Sequence, residues 1–252
     1  MMAEAVCPIC DGTGWKVVER AGLSGATRCE CAAVERAQSL RDGSGIPPNY
    51  QRASLDTFQI PQDNPIARAG LAKVFMEVKA FVREFPLGEK PGLLLVGETG
   101  TGKTHLAVSA LKALIEKGHE GLFFDYQSLL EKIRAGWNRD AGTSDREAYA
   151  SALEAEVLMI DDLGAHRSAE WIEDTVTAIV THRYNNKLPL IATTNLDVDE
   201  SPQVAYTSAG GVAVHKKSLA EVIGARSRSR LFEMCRVVRM PQVEDYRVKR
   251  GR

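Results

Sequence analysis

Residues Gly92 to Ala107 read GLLLVGETGTGKTHLA. The apolar run Leu93 to Val96 leads into Gly97, Gly100, Gly102, Lys103 and Thr104, which satisfy G-x-x-x-x-G-K-[ST], and a helix-like segment follows at once. A strand, a glycine-rich turn and a helix start in that order are the setting of a phosphate-binding P-loop. Glycines admit backbone angles closed to other residues, so successive N–H groups can turn inward around a polyphosphate at a helix N-terminus, where the helix dipole also favours negative charge. The loop residues Gly97, Glu98, Thr99, Gly100, Thr101, Gly102, Lys103, Thr104 and His105 are therefore candidates for nucleotide contact. Lys103 would reach the β- and γ-phosphates, and the Thr104 hydroxyl would be a magnesium ligand.

Downstream, Val157 to Ile160 form a wholly apolar run that ends in Asp161 and Asp162. Such a run reads as a buried parallel strand whose carboxyl end delivers acids to the phosphate site. Alone the pair reads equally as a strand-end turn; about 60 residues past a P-loop it reads as a Walker B pair. Asp161 would then hold magnesium, and Asp162 would orient the attacking water. The next strand, Leu188 to Ala192, is followed by Thr193, Thr194 and Asn195. Asn195 fits a polar sensor at the strand tip, against the plainer reading of an Asn that turns the chain.

Upstream, Pro65 to Phe85 carries Ile66, Leu71, Val74, Phe75, Val78 and Phe81 at helical spacing. Leu122 to Phe124 reads as a second strand, Ser128 to Trp137 as a helix, and Asn138 to Arg146 as a polar loop. Ala169 to Asn185 and Ser218 to Cys235 read as helices, and Arg236 to Met240 as the fifth strand. Asp197 to Lys217 is an insertion centred on Gly210-Gly211 and ending in His215, Lys216 and Lys217; it reads as a solvated loop or as an arm contacting DNA or a partner. Arg226 and Arg230 share a face of their helix, and Arg228 points elsewhere.

Four of the five cysteines fall in the first 31 residues, as Cys7-x-x-Cys10 and Cys29-x-Cys31. Two pairs of soft ligands that a loop can fold together suit tetrahedral zinc. Free or redox-active thiols are the alternative. The run CPICDGTG is similar to the zinc modules of DnaJ-type chaperones, although it occurs once here. Cys235 reads as a core thiol. Glu35 to Asn64 is a connector whose Tyr50, Leu55, Phe58 and Ile60 would lie against the main domain, either as simple packing or as a strap bordering an adenine.

The chain has 252 residues, 44% of them hydrophobic, and a net charge of -1. That length buries a full core, and the near-neutral charge exerts no global pull on nucleic acid, so any DNA contact must be local. No basic segment precedes an apolar one at the N-terminus, and no apolar run approaches a membrane span, so neither a signal peptide nor a membrane helix is expected and the expected compartment is cytoplasmic.

From about Ile46 to Arg247, the P-loop, the hydrophobic-D-D-L-G strand, T-T-N, the A-R-x-x-S-R-L helix and the closing Asp245-Tyr246-Arg247 together resemble the AAA+ ATPases of the DnaC/DnaI helicase-loader and IstB transposition-helper group. The resemblance implies an α/β fold: an AAA+ P-loop NTPase core with a parallel five-stranded sheet flanked by helices, no C-terminal lid, and a small N-terminal zinc-binding module. It implies residues 1–35 as that module, 36–64 as a linker strap and 65–252 as the ATPase domain. Lys103 and Thr104 become the Walker A pair, Asp161 and Asp162 Walker B, Asn195 sensor 1, and Arg230 an arginine finger acting on a neighbouring copy, with Arg226 beside it.

The implied function is an ATP-, magnesium- and zinc-binding helicase loader for DNA replication that binds single-stranded DNA and delivers a hexameric replicative helicase. An IstB-like transposition helper and a nucleotide-gated adaptor with negligible hydrolysis are the alternatives. Asp162 stands where most AAA+ proteins have Glu, and its shorter side chain implies slow turnover that depends on assembly.

Overall fold

Between the two cysteine pairs the chain makes an antiparallel hairpin, β1 (Trp15–Arg20) and β2 (Leu23–Arg28). The computed structural model describes the chain outside residues 1–6, 12, 21–22, 63, 138–142, 166–168, 200–203, 207–212, 216, 244, 247 and 249–252. Helix α1 (Glu30–Asp42) begins directly at Cys29 and occupies the first part of the expected connector. It runs unbroken across the expected 35/36 boundary and reaches the main domain, where Arg41 pairs with Glu116 at 3.4 Å.

Helix α2 (Pro65–Glu84) is started by Asn64, whose Oδ1 accepts from the N–H groups of Ile66 and Ala67, with Pro65 in the first turn where its missing N–H costs nothing. Then follow β3 (Gly92–Val96), α3 (Lys103–Glu116), β4 (Gly121–Asp125) and α4 (Tyr126–Gly136). Next come α5 (Thr143–Glu154), β5 (Val157–Asp161), α6 (Glu170–Asn185) and β6 (Leu190–Thr194). Where a polar loop was expected to run to Arg146, α5 is already helical from Thr143.

The expected arm contains an antiparallel pair, β7 (Val204–Tyr206) and β8 (Ala213–His215). Its Gly210-Gly211 centre and Lys216 lie outside the described residues, as does Arg247. Beyond it, the single helix expected over Ser218 to Cys235 is two: α7 (Leu219–Ile223) and α8 (Ala225–Met234), broken at Gly224, whose φ of 83° is left-handed. Strand β9 (Cys235–Arg239) closes the core.

Five strands form one sheet in the order β4-β5-β6-β3-β9, all parallel. Successive side chains of a strand point to opposite faces, and here both faces are covered. Leu94, Val96, Leu158, Ile160, Leu190 and Ala192 meet α4 to α8 on one side. Their neighbours Leu93, Leu95, Val157, Met159, Ile191 and Val238 meet α2 and α3 on the other. That is why these strands read as continuous apolar runs. Burying such strands on both faces contributes about 1.5–3 kcal/mol for each large side chain.

Arg183, at the end of α6, has no exposed surface. Its guanidinium donates to the carbonyls of Ala152, Leu153, Ala155, Glu156 and Pro189, tying the end of α5 to the starts of β5 and β6. Burial lowers its pKa to about 10. Among the described residues no helix is long and apolar enough to cross a membrane.

Candidate functional site

The parallel order delivers three loops to one edge. β5 and β3 flank β6, so the chain ends of all three strands converge. The Gly97 N–H donates to the Thr194 carbonyl, placing Asn195 beside the entry to the P-loop. Within the loop, Gly100 and Gly102 have φ of 76° and 94°, and Gly102 caps α3. Lys103 is buried, its Nζ donating to the Glu98 carbonyl at 2.8 Å, and the Thr101 hydroxyl donates to the same carbonyl. A loop closed on itself in this way presents its backbone N–H groups along one concave side.

Asp161 is buried at the tip of β5 and accepts a 2.6 Å hydrogen bond from the Thr193 hydroxyl. Burial pushes its carboxyl above the usual carboxylate range, the Thr193 bond pulls it back, the charge on Asp162 pushes up, and the nearby Thr104 hydroxyl pulls down. Thr104 and Asp161, far apart in sequence, thus face the same edge of the sheet. Asp162 follows with a left-handed φ of 52°, which turns its exposed side chain away from the strand direction. Its backbone N–H donates to Thr193 Oγ1 at 2.9 Å, and Leu163 N–H donates to the Thr193 carbonyl.

Two flanking segments complete this edge. His105 Nε2 lies 3.0 Å from the Ser54 carbonyl and 3.2 Å from Thr57 Oγ1, so this ring is engaged by the connector. Phe58 stacks on Phe75 and lies so close to the P-loop that a Cβ on Gly102 would come within 2.8 Å of its ring. From the other side, the Tyr246 N–H donates to the Gly100 carbonyl and its hydroxyl bonds Gln59 at 2.9 Å. The Asp245 carboxylate carbon would sit 2.0 Å from a Cβ on Gly100. The connector and the chain end therefore meet beside the P-loop. Thr193 and Asp245 stood in the T-T-N and D-Y-R motifs without a role of their own, and Asp125 was not singled out at all; only its position at the tip of β4 hinted at it.

Arg226 and Arg230 are not part of this edge. They line a separate surface pocket with Tyr184, Ser229 and Glu233. Arg228 is pinned elsewhere, donating to the Val198 carbonyl at 2.7 Å and lying over the Phe232 ring.

At the N-terminus the sulfurs of Cys7, Cys10, Cys29 and Cys31 all lie within 4.8 Å of one another. Tetrahedral zinc with Zn–S of about 2.3 Å needs sulfurs about 3.8 Å apart, so the four thiols fit such an ion. A hydrogen bond from Cys31 lowers the Cys10 thiol to about 7, while Cys31 itself is pushed up. Cys235 lies apart, wholly buried in the core, and burial pushes its thiol up to about 12.

A family model described as IstB-like ATP binding protein matches residues 80–214. The replicative helicase loader DnaC of Escherichia coli K12 is 24% identical over 186 residues, covering 74% of this chain and 72% of that protein. DnaI of Bacillus subtilis, also a replicative helicase loader, is 25% identical over 209 residues, covering 82% of this chain and 62% of that protein. Among solved structures, a DnaC helicase loader superposes with a TM-score of 0.60 at 30% identity, covering 77% of this chain and 100% of the other. A DnaI structure superposes with a TM-score of 0.59 at 22% identity, covering 83% and 99%.

Proposed function

This chain belongs to the family of IstB-like ATP binding proteins, and from that premise we propose that it is an ATP-hydrolysing helicase loader for DNA replication. The observation that carries the reading is the placing of buried Asp161, held by Thr193 at the tip of β5, at the same edge where the Gly97–Thr194 bond ties β6 to the P-loop that opens into Lys103 and Thr104. The residues fit the ion: a buried carboxylate and a hydroxyl, both oxygen donors. Magnesium bound there would neutralise charge developing on the phosphates. The loop N–H groups and Lys103 hold and orient the phosphates, Asp162 and Asn195 position water, and Thr193 fixes the two acids. Asp162 is one methylene shorter than Glu, and turnover is correspondingly slow.

Enclosure of the phosphates is completed by a second copy, whose Arg230, with Arg226 beside it, acts in trans. An arginine finger is worth about 10³ to 10⁵ in rate in GTPases, which sets the scale of the assembly effect. The four clustered cysteines hold zinc in an N-terminal module whose expected bounds of 1–35 extend along α1 to Asp42, joined through the remainder of the 36–64 strap to the 65–252 ATPase domain. Ile9, Trp15, Val17 and Val34 are exposed apolar residues of that region, suited to gripping a hexameric helicase. Single-stranded DNA is met by exposed Trp137, whose ring packs against Trp171 with Arg134 over the latter, an aromatic and cationic surface of the kind on which bases stack.

The test combines binding and capture. Lys103→Ala abolishes ATP binding, Asp162→Ala leaves binding and stops turnover, and immobilised protein captures a hexameric helicase only with the four cysteines intact. Capture of a transposase instead would establish the transposition-helper reading. Full loading by Asp162→Ala would reduce ATP to a binding switch.

A further inference from the structure

Arg230 and Glu233 are three residues apart on α8, the spacing at which opposite charges on a helix pair with each other. They do not pair here. Glu233 Oε1 accepts a 2.6 Å hydrogen bond from the Tyr184 hydroxyl on α6, a length characteristic of a charge-assisted O–H···O⁻ bond. The same bond holds the Tyr184 phenol above its usual range. Arg230 lies instead over the Tyr184 ring, its guanidinium carbon 5.9 Å from the ring centroid, and its Nη1 reaches the Arg226 carbonyl at 3.5 Å. Among the described residues Arg230 makes no ion pair.

We propose that Tyr184 is a positioning residue for Arg230: its hydroxyl holds Glu233 aside while its ring face supports the guanidinium, keeping that charge uncompensated for a phosphate carried by a neighbouring copy. The inference rests on the reading of Arg230 as a finger and names what makes the finger available. The chemistry follows from competition for one carboxylate. An arginine paired with its own Glu must break that pair before meeting an anion, whereas one resting on an aromatic face keeps its donors outward. Ser229 and Arg226, which line the same pocket, add a hydroxyl and a second positive charge, while Glu233, which lines it too, is occupied by the Tyr184 hydroxyl.

The experiment measures ATPase rate against protein concentration for the full chain, with and without single-stranded oligonucleotide, in Tyr184→Phe, Glu233→Gln, the double variant and Arg230→Ala. Arg230→Ala should lose the concentration-dependent rise. Tyr184→Phe keeps the ring and frees Glu233, so the rise should fall at least fivefold while the ATP affinity of dilute protein is unchanged. The double variant, which also lacks the phenol hydroxyl but carries no competing charge, should return to within about twofold of wild type. Its recovery separates charge competition from a folding defect, since both proteins carry the same Tyr184 change.

Wild-type behaviour of Tyr184→Phe, or failure of Glu233→Gln to rescue it, with Arg230→Ala still lacking the rise, overturns this proposal alone. A rise that survives in Arg230→Ala, or no rise in wild type, overturns the finger reading and the proposal together.

Discussion

Thr193 Oγ1 donates to Asp161 Oδ1 at 2.6 Å and accepts the Asp162 N–H at 2.9 Å, so one hydroxyl on β6 fixes both acids at the tip of β5. Thr193→Val keeps the shape and removes both bonds. A buried acceptor left unmade costs about 1–3 kcal/mol. The Thr193 bond also pulls the Asp161 pKa down, so its loss raises that pKa further. Magnesium needs the carboxylate ionised, and the pH profile of ATP hydrolysis should therefore move to higher pH in Thr193→Val and stay in place in Thr193→Ser. A profile that moves to lower pH contradicts the assignment.

Asp161 itself should oppose stability. Its folded pKa is raised by burial, so the folded state binds this proton more tightly than the unfolded state does. Stability from this group is therefore lost as pH rises from the unfolded carboxylate value through the raised folded one. Asp161→Asn removes the cost. At neutral pH it should melt higher by on the order of a few degrees, while losing magnesium-dependent hydrolysis. Thermal melts at neutral and acid pH check both halves, and the gain should vanish in acid.

Gly100→Ala tests the meeting of the chain end with the P-loop. A side chain there adopts φ of 76° at a cost of about 1–2 kcal/mol, and its Cβ would collide with Asp245 at 2.0 Å. The variant should melt several degrees lower and bind ATP at least tenfold more weakly. Adding Asp245→Ala should recover the steric part and leave the backbone part.

Arg183→Met should be among the most damaging single changes. It leaves five carbonyl acceptors without the guanidinium that joins them, at a cost of about 3 kcal/mol or more. Urea denaturation should show the midpoint falling sharply. Arg183→Lys, with one nitrogen in place of a fork, should rescue little.

Chelation should unfold the N-terminal part alone. A hairpin and four thiols form too small a core to stand without a metal. Excess chelator, or Cys10→Ser, should expose the first 42 residues to limited proteolysis, release one zinc per chain and leave ATP binding intact. Loss of ATP binding on chelation would mean that the metal supports the whole fold.

The elements legible in the sequence were those with local causes. The strand-glycine-helix run of the P-loop, the wholly apolar strand before Asp161 and the paired cysteines each carry their chemistry in adjacent residues. Arg183 gave no local sign of burial, because its acceptors come from three other segments. Thr193 looked like part of a strand tip, and its hold on Asp161 depends on β5 and β6 lying side by side. The break at Gly224 hid inside an arginine-rich helical pattern, where one glycine is weak evidence. Helix α5 begins in a polar stretch whose packing against α4 is tertiary.

Helix α1 has one end at the cysteine cluster and, just past the other, Ser44, whose carbonyl accepts the Phe123 N–H of edge strand β4. Asp125, at the tip of that strand, lies in register with Asp161. Thirteen helical residues make a strut about 20 Å long. The cysteine cluster and the Asp125–Asp161 edge are therefore the two ends of a single helical span, with no loop between Cys29 and Asp42 to absorb a displacement of one relative to the other.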